Sequence, residues 1–200
     1  MLKALRLSEV AVALNARLIG RDCAFDAVSS DSRAIRPGQL FVALSGPRFD
    51  GHDYLAEVAA KGAVAALVER EVAGAPLPQL LVSDTRLALG QLGALKRRAF
   101  GGPVVAITGS SGKTTVKEML ASILRVGLRG PVLATRGNLN NELGVPLTLL
   151  ELAAEHVAAV IELGANHVGE IAYTVGLTQP QVAIITNAGS AHVGEFGGPE

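Results

Sequence analysis

Apolar residues run along this chain in two rhythms. Short unbroken runs alternate with stretches in which apolar positions recur every three or four residues, the signatures of buried strands and of amphipathic helices. Ser8 as an N-cap, with Val10, Ala11, Leu14 and Leu18 at helical spacing, predicts an opening helix that Gly20 stops. Strands are expected at Phe25–Val28, Leu40–Leu44, Gly62–Val68 and Gln79–Val82, with an amphipathic segment from Tyr54 to Lys61. Asp84 or Thr85 can cap a helix through Leu87, Leu92 and Leu95. Its basic end, Lys96-Arg97-Arg98, suits the negative end of the helix dipole and is expected to be solvated. Gly101-Gly102-Pro103 breaks the pattern, which places a first domain at residues 1–101 and a second at 102–200.

From Val104 the two rhythms alternate strictly. Strands are expected at Val104–Thr108, Val132–Ala134, Val157–Leu163 and Val182–Thr186, and helices near Thr114–Arg125, Glu142–Leu152 and Val168–Leu177. That order predicts an α/β fold with a parallel sheet covered by helices, in which ligands lie beyond the carboxyl ends of the strands. The polar motifs of this half fall at those ends.

The first such end is Gly109-Ser110-Ser111-Gly112-Lys113-Thr114-Thr115. Two glycines let backbone N–H groups converge on a phosphate, the next helix points its positive end at the same place, and Lys113 adds a full charge. Thr114 offers a hydroxyl to Mg²⁺. The spacing is G-x-x-G-K-T and not the longer G-x-x-x-x-G-K-[ST], because Ile107 stands where the first glycine of that pattern would be. A helix N-terminus with capping serines is the plainer alternative.

The second strand end carries Asn138, Asn140 and Asn141, the third Glu162 with Asn166 and His167, and the fourth Asn187 with His192. Glu162 interrupts an apolar strand, where a buried carboxylate is costly unless paired. Mg²⁺ would supply the pairing, together with Thr114 and His192; a backbone N–H or Arg136 could satisfy it instead. The asparagine loop is either a binding element or only a turn.

In the first half two polar clusters follow strands. One contains Asp31, Ser32 and Arg33; the other contains Arg48, Asp50, Gly51 and His52. They suit an anionic, hydroxyl-rich ligand such as a nucleotide sugar, and equally suit ordinary turn and cap chemistry.

Composition narrows the partners. Apolar residues make up 49% of the 200, enough for real cores. The first hundred residues hold 13 basic and 10 acidic side chains and the second hundred 5 and 8, too even a split for a nucleic-acid surface, and aromatics at 4% offer few stacking platforms. One cysteine, Cys23, makes no intramolecular disulfide. No apolar run reaches membrane-spanning length, so a cytoplasmic protein without membrane insertion is expected, and a monomer.

Thr108–Thr115, Gly137–Pro146, Glu162–Ile171 and Thr186–His192 together resemble the Mur ligases, and the resemblance runs over essentially the whole chain. The short phosphate loop is the form that family uses. Ser110-Ser111 and Lys117-Glu118-Met119 resemble the branch that joins D-alanyl-D-alanine to a UDP-N-acetylmuramoyl tripeptide, in peptidoglycan precursor synthesis. The sibling adding the diamino acid, and a folylpolyglutamate-type ligase, remain rivals within enzymes. A non-catalytic module binding UDP-sugar and nucleotide is the rival outside them.

The resemblance implies a small N-terminal α/β substrate domain followed by an incomplete ATP-binding domain. It implies ATP and Mg²⁺ as cofactors and an acyl phosphate formed from the peptide carboxylate and attacked by the incoming amine. It assigns Lys113, Glu162 and His192 to catalysis, and Thr114, Glu162 and His192 to the metal. Gly109, Ser110, Ser111, Gly112, Lys113, Thr114, Thr115, Asn138, Asn141 and Asn187 go to ATP, and Ser32, Arg33, Arg48, Asp50, Gly51 and His52 to the UDP-sugar substrate. Members of the family are well over twice as long, so the 200 residues alone are expected to be inactive as a ligase.

Overall fold

The computed structural model describes residues 4–189. They divide into two compact units, one reaching Leu92 and the other starting at Gly93. The division falls inside a helix, upstream of the Gly101-Gly102-Pro103 break.

The first unit contains β1 (Leu5–Arg6), α1 (Leu7–Leu14), β2 (Arg17–Ile19), β3 (Ala24–Phe25), β4 (Ala27–Ser29), β5 (Gln39–Val42), β6 (Ser45–Gly46) and β7 (Phe49–Asp50). A 3₁₀ turn at Gly51–Tyr54 leads to α2 (Leu55–Ala60), β8 (Ala65–Val68), β9 (Gln79–Leu81) and the start of α3 (Thr85–Ala99). Five strands form one sheet in the order β2-β9-β8-β5-β4, parallel except for the β2–β9 pair. The unbroken apolar run of β5 is explained by burial on both faces: Leu40, Phe41 and Val42 are all buried.

The opening helix is shorter than the spacing predicted. It ends at Leu14 because Asn15 takes a left-handed conformation, φ 51°, and Leu18 belongs instead to edge strand β2. Ser8 lies inside that helix and is not its cap. The Asp22 carboxylate accepts from the Ser8 N–H at 3.0 Å and the Ser8 hydroxyl at 2.9 Å, satisfying the first turn from outside. At α3 the cap is Asp84, whose Oδ1 accepts from the Arg86 and Leu87 N–H groups at 2.8 and 2.9 Å.

The second unit contains β10 (Val104–Thr108), α4 (Lys113–Gly127), β11 (Val132–Ala134), α5 (Gly144–Leu150), β12 (Ala158–Glu162), α6 (Glu170–Thr178) and β13 (Val182–Ile185). All four strands are parallel, in the order β11-β12-β10-β13. Two apolar clusters sandwich the sheet. Ala159 and Ile161 of β12 join Val145 and Leu149 of α5 on one side, while Ala158 and Val160 face Val116, Ala121 and Leu124 of α4 on the other. With a side-chain period of two, Glu162 falls on the α4 side.

The basic end of α3 is not fully solvated. Arg97 is buried, and its guanidinium donates to the Thr178, Phe100 and Gln179 carbonyls at 2.7, 3.1 and 2.9 Å. It thereby caps the carboxyl end of α6, which explains why the second half of α3 belongs to the second unit.

Candidate functional site

Strand register decides what meets at the carboxyl edge of the second sheet. Ile107 of β10 lies level with Glu162 of β12, and Thr108 with Ile185 of β13, so the loop leaving β10 runs between the ends of two neighbours. Gly109 has φ +133°, and a Cβ there would collide with the Thr186 hydroxyl; Gly112 has φ +78°. Glycine is required at the first by both conformation and space.

The end of β13 holds the loop in shape. Asn187 accepts the Ser111 N–H at 3.0 Å through its side chain and the Ser110 N–H at 3.2 Å through its carbonyl, and its amide donates to the Ser111 hydroxyl at 2.9 Å. Thr186 Oγ1 donates to the Ser111 carbonyl at 2.6 Å, and Ser110 Oγ accepts the Gly189 N–H at 2.8 Å. Ser110, Ser111 and Asn187 are therefore engaged with one another. The N–H groups that remain for a phosphate are those of the first turn of α4, which have no partner within the helix. Lys113 Nζ donates to the Gly109 carbonyl at 2.6 Å, closing the loop on itself, and Thr115 is exposed beside it.

Glu162 is the centre of this edge. Its side chain is 3% exposed; Oε2 accepts from the Thr114 hydroxyl at 3.0 Å and Oε1 from the Asn140 amide at 2.8 Å, while Lys117 Nζ lies 3.9 Å from Oε2. The Glu162 N–H donates to Thr135 Oγ1 at 2.9 Å. Arg136 does not reach it, being paired with Glu151 at 3.3 Å. A buried carboxylate and a hydroxyl at the first turn of a phosphate-facing helix are hard oxygen donors. They fit Mg²⁺, which takes few protein ligands and fills its shell with phosphate oxygens and water. Among the described residues no group of three His, Cys, Asp or Glu is gathered, as such a site does not need one. His192 lies outside the described residues.

The other asparagines divide. Asn141 Oδ1 accepts the Leu143 and Gly144 N–H groups at 3.3 and 2.8 Å, so it caps α5 and does not face the phosphate edge as a free amide. Asn138 is exposed, its carbonyl accepting the Asn140 N–H at 2.8 Å. Asn140 and Lys117 are the residues beside Glu162 to which the sequence reading assigns no individual role in the site. Lys117 could have been found, because it stands four residues before Ala121 on the buried stripe of an amphipathic helix where an apolar residue is expected.

The first unit holds a separate cleft of about 520 Å³. Ser32 and Arg33 line it from one loop, and Phe49, Gly51 and Tyr54 from the other, so the structure brings the two polar clusters together. Arg33 is exposed and donates to both oxygens of Asp31 at 2.9 Å, which with the backbone N–H holds the Asp31 carboxyl down at about 2. Arg48 is exposed in the turn between β6 and β7.

Asp50 and His52 turn inward. His52 is 3% exposed; its Nδ1 donates to Asp50 Oδ1 at 2.6 Å and its Nε2 accepts the Glu69 N–H at 2.9 Å, which assigns the ring proton to Nδ1. Asp50 also accepts the His52 N–H at 3.0 Å, the Arg70 guanidinium at 2.7 Å and the Ser45 hydroxyl at 2.9 Å, and the backbone bond leads in holding its carboxyl well below the usual range. These two residues shape the floor behind the cleft and present no free group to it.

Two family models match the chain: the Mur ligase family catalytic domain over residues 24–97 and the Mur ligase middle domain over residues 107–200. The chain belongs to the Mur ligase family. Among curated Mur ligases, the UDP-N-acetylmuramoyl-tripeptide--D-alanyl-D-alanine ligase of Escherichia coli K12 is 54% identical over 191 residues, covering 96% of this chain and 42% of that protein. A crystal structure of MurF from Acinetobacter baumannii superposes with a TM-score of 0.90 at 50% identity, over 98% of this chain and 44% of that one. The MurF ligase of Thermotoga maritima in complex with ADP gives a TM-score of 0.74 at 38% identity, over 84% and 38%. The chain thus spans less than half the length of the Mur ligases it matches. No helix among the described residues is long and apolar enough to cross a membrane.

Proposed function

We infer that this chain is the substrate- and phosphate-binding part of an ATP-dependent ligase that joins D-alanyl-D-alanine to a UDP-N-acetylmuramoyl tripeptide. The observation that carries the reading is the buried Glu162 carboxylate, 3.0 Å from the Thr114 hydroxyl at the mouth of the Gly109–Lys113 loop. The likeness to the E. coli and A. baumannii ligases supports the choice of amine substrate, and the ADP complex of the T. maritima ligase supports the nucleotide.

A carboxylate is a poor electrophile, and phosphorylation gives it a leaving group. Lys113 and the first-turn N–H groups of α4 would hold the nucleotide phosphates and offset the charge crowded around the transferred group. Glu162 and Thr114 would hold Mg²⁺. When bound, that ion would screen the phosphate oxygens from one another. Ser32, Arg33 and the backbone at Gly51 would hold the UDP-sugar end in the cleft of the first unit, with Asp50 and His52 fixing that backbone from behind. The protein would work as a monomer in the cytoplasm, where ATP is supplied.

The test is product analysis with the full-length protein. Given ATP, Mg²⁺ and the UDP-muramoyl tripeptide, it should ligate D-alanyl-D-alanine and leave a free diamino acid untouched, as read by mass spectrometry. Ligation of the diamino acid to the UDP-muramoyl dipeptide would reassign it to the sibling branch. The 200 residues alone should bind ligands without turning them over, and ATP-dependent ligation by them would contradict that.

A further inference from the structure

We propose that Lys117 is a positioning residue of the phosphate edge, setting the place of the Glu162 carboxylate; this rests on reading that edge as the site of a metal-bound nucleotide. Lys117 lies one helical turn beyond Lys113; where Lys113 Nζ reaches back to the Gly109 carbonyl, Lys117 Nζ reaches the Thr135 carbonyl inside the protein. Its side chain is 1% exposed. On α4 it occupies the same stripe as Ala121 and Leu124, which pack against the sheet, so an apolar residue would be the simpler choice there.

The ammonium has one hydrogen-bond acceptor and two carboxylates within ion-pair distance, all at the carboxyl edge or on its own helix. Nζ donates to the Thr135 carbonyl at 2.6 Å, lies 3.0 Å from Glu118 Oε1, and lies 3.9 Å from Glu162 Oε2. Thr135 is also the residue whose hydroxyl accepts the Glu162 N–H, at 2.9 Å. Lys117 and Thr135 therefore fix Glu162 from two directions, through its charge and through its backbone. The remaining carboxylate oxygen is set by Asn140 at 2.8 Å.

A buried carboxylate without a counter-ion tends to swing toward solvent, and that change removes a cation ligand. A fixed ammonium 3.9 Å from Oε2 opposes that swing, and leaves the oxygen aimed at Thr114 before any ligand arrives. Outer partners of this kind govern metal affinity through the ligand they hold. Lys113 has the complementary task in this reading, holding the phosphates in exchange for its contact with the Gly109 carbonyl.

The experiment uses the full-length protein and measures Mn²⁺ binding by electron paramagnetic resonance in the presence of ADP. The variants are Lys117→Met, which keeps length and removes charge, Glu162→Gln, and the two combined. Lys117→Met should weaken Mn²⁺ binding by about tenfold or more, and in the Glu162→Gln background the same change should have no further effect, because the lysine acts through the carboxylate. A folded Lys117→Met protein that binds Mn²⁺ within twofold of wild type would overturn the proposal, as would equal losses in both backgrounds. If Lys117→Met alone does not fold, the combined variant must recover folding by circular dichroism, since no buried unpaired charge remains in it and Glu118 is exposed, and its failure to do so counts against the proposal. A wild type that binds no Mn²⁺ with ADP would instead sink the nucleotide-site reading itself.

Discussion

Asp50 in the first unit and Glu162 in the second are both acidic side chains at a strand end, yet their surroundings serve different ends. Asp50 is gripped by Ser45 and His52 from its own loop and by Arg70, with the buried His52 ring locked between it and the Glu69 N–H. Glu162 is gripped by residues of two other segments: Thr114 and Lys117 of α4, and Asn140 of the loop after β11. In the first case the carboxylate organises a local turn, and the ligand surface is left to its neighbours. In the second, the sheet gathers distant residues around a carboxylate beside a helix N-terminus, and the carboxylate itself is aimed at the first turn of that helix. What separates them is where each carboxylate is aimed: Asp50 at its own hairpin and at Arg70, Glu162 at the first turn of α4.

The sharpest way to break that contrast is to neutralise each acid in turn. Glu162→Gln should lower kcat for ligation by the full-length protein roughly 10²–10³-fold, read by phosphate release at saturating substrates; a rate near that of wild type would remove Glu162 from the site. His52→Ala should destabilise the first unit by about 2–3 kcal/mol in urea unfolding, because Asp50 and the Glu69 N–H each lose a buried partner, while leaving ADP affinity unchanged. Gly112→Ala should cost about 1–2 kcal/mol of stability, the strain of a left-handed residue, since open space surrounds the added methyl. Arg33→Ala, on an exposed pair with Asp31, should leave the urea midpoint nearly unchanged while weakening UDP-substrate binding in calorimetry.

Acid should separate the units as well. The folded state holds Asp31 at about 2 against an ordinary 3.8, and Asp50 is lowered too. Depressed carboxyls stabilise the fold fully above the unfolded value and lose that contribution as pH falls through the folded one. First-unit stability should therefore decline from about pH 3.8 toward about 2, and Asp50→Asn should flatten the decline; an unchanged slope would mean the Asp50 cluster contributes nothing.

Much of this was legible in the residues. Unbroken apolar runs marked β5, β8 and β12 because both of their faces are covered, and Glu162 stood out because it broke one. The phosphate loop was legible from two glycines and a lysine between a strand and a helix. Other features were hidden by ties between local signals. Leu18 continues the spacing of α1 and equally suits an edge strand, and only the left-handed Asn15 decides between them. β6 and β7 are two residues each, too short for any alternation to show. The inward turn of Asp50 and His52 depends on Arg70 and Glu69, which are distant in the chain. Asn140 differs from Asn138 and Asn141 only in where the loop after β11 points it. Arg97 was read as a solvated helix end because its acceptors, at Thr178 and Gln179, lie far along the sequence.

The central claim is that the Gly109–Thr115 loop holds nucleotide phosphates through Lys113. Calorimetric titration of Mg·ADP into the full-length protein, wild type against Lys113→Ala, tests it most directly. The account predicts saturable binding to wild type and its loss in the variant, with UDP-substrate binding retained; an unchanged Mg·ADP affinity in Lys113→Ala would contradict it.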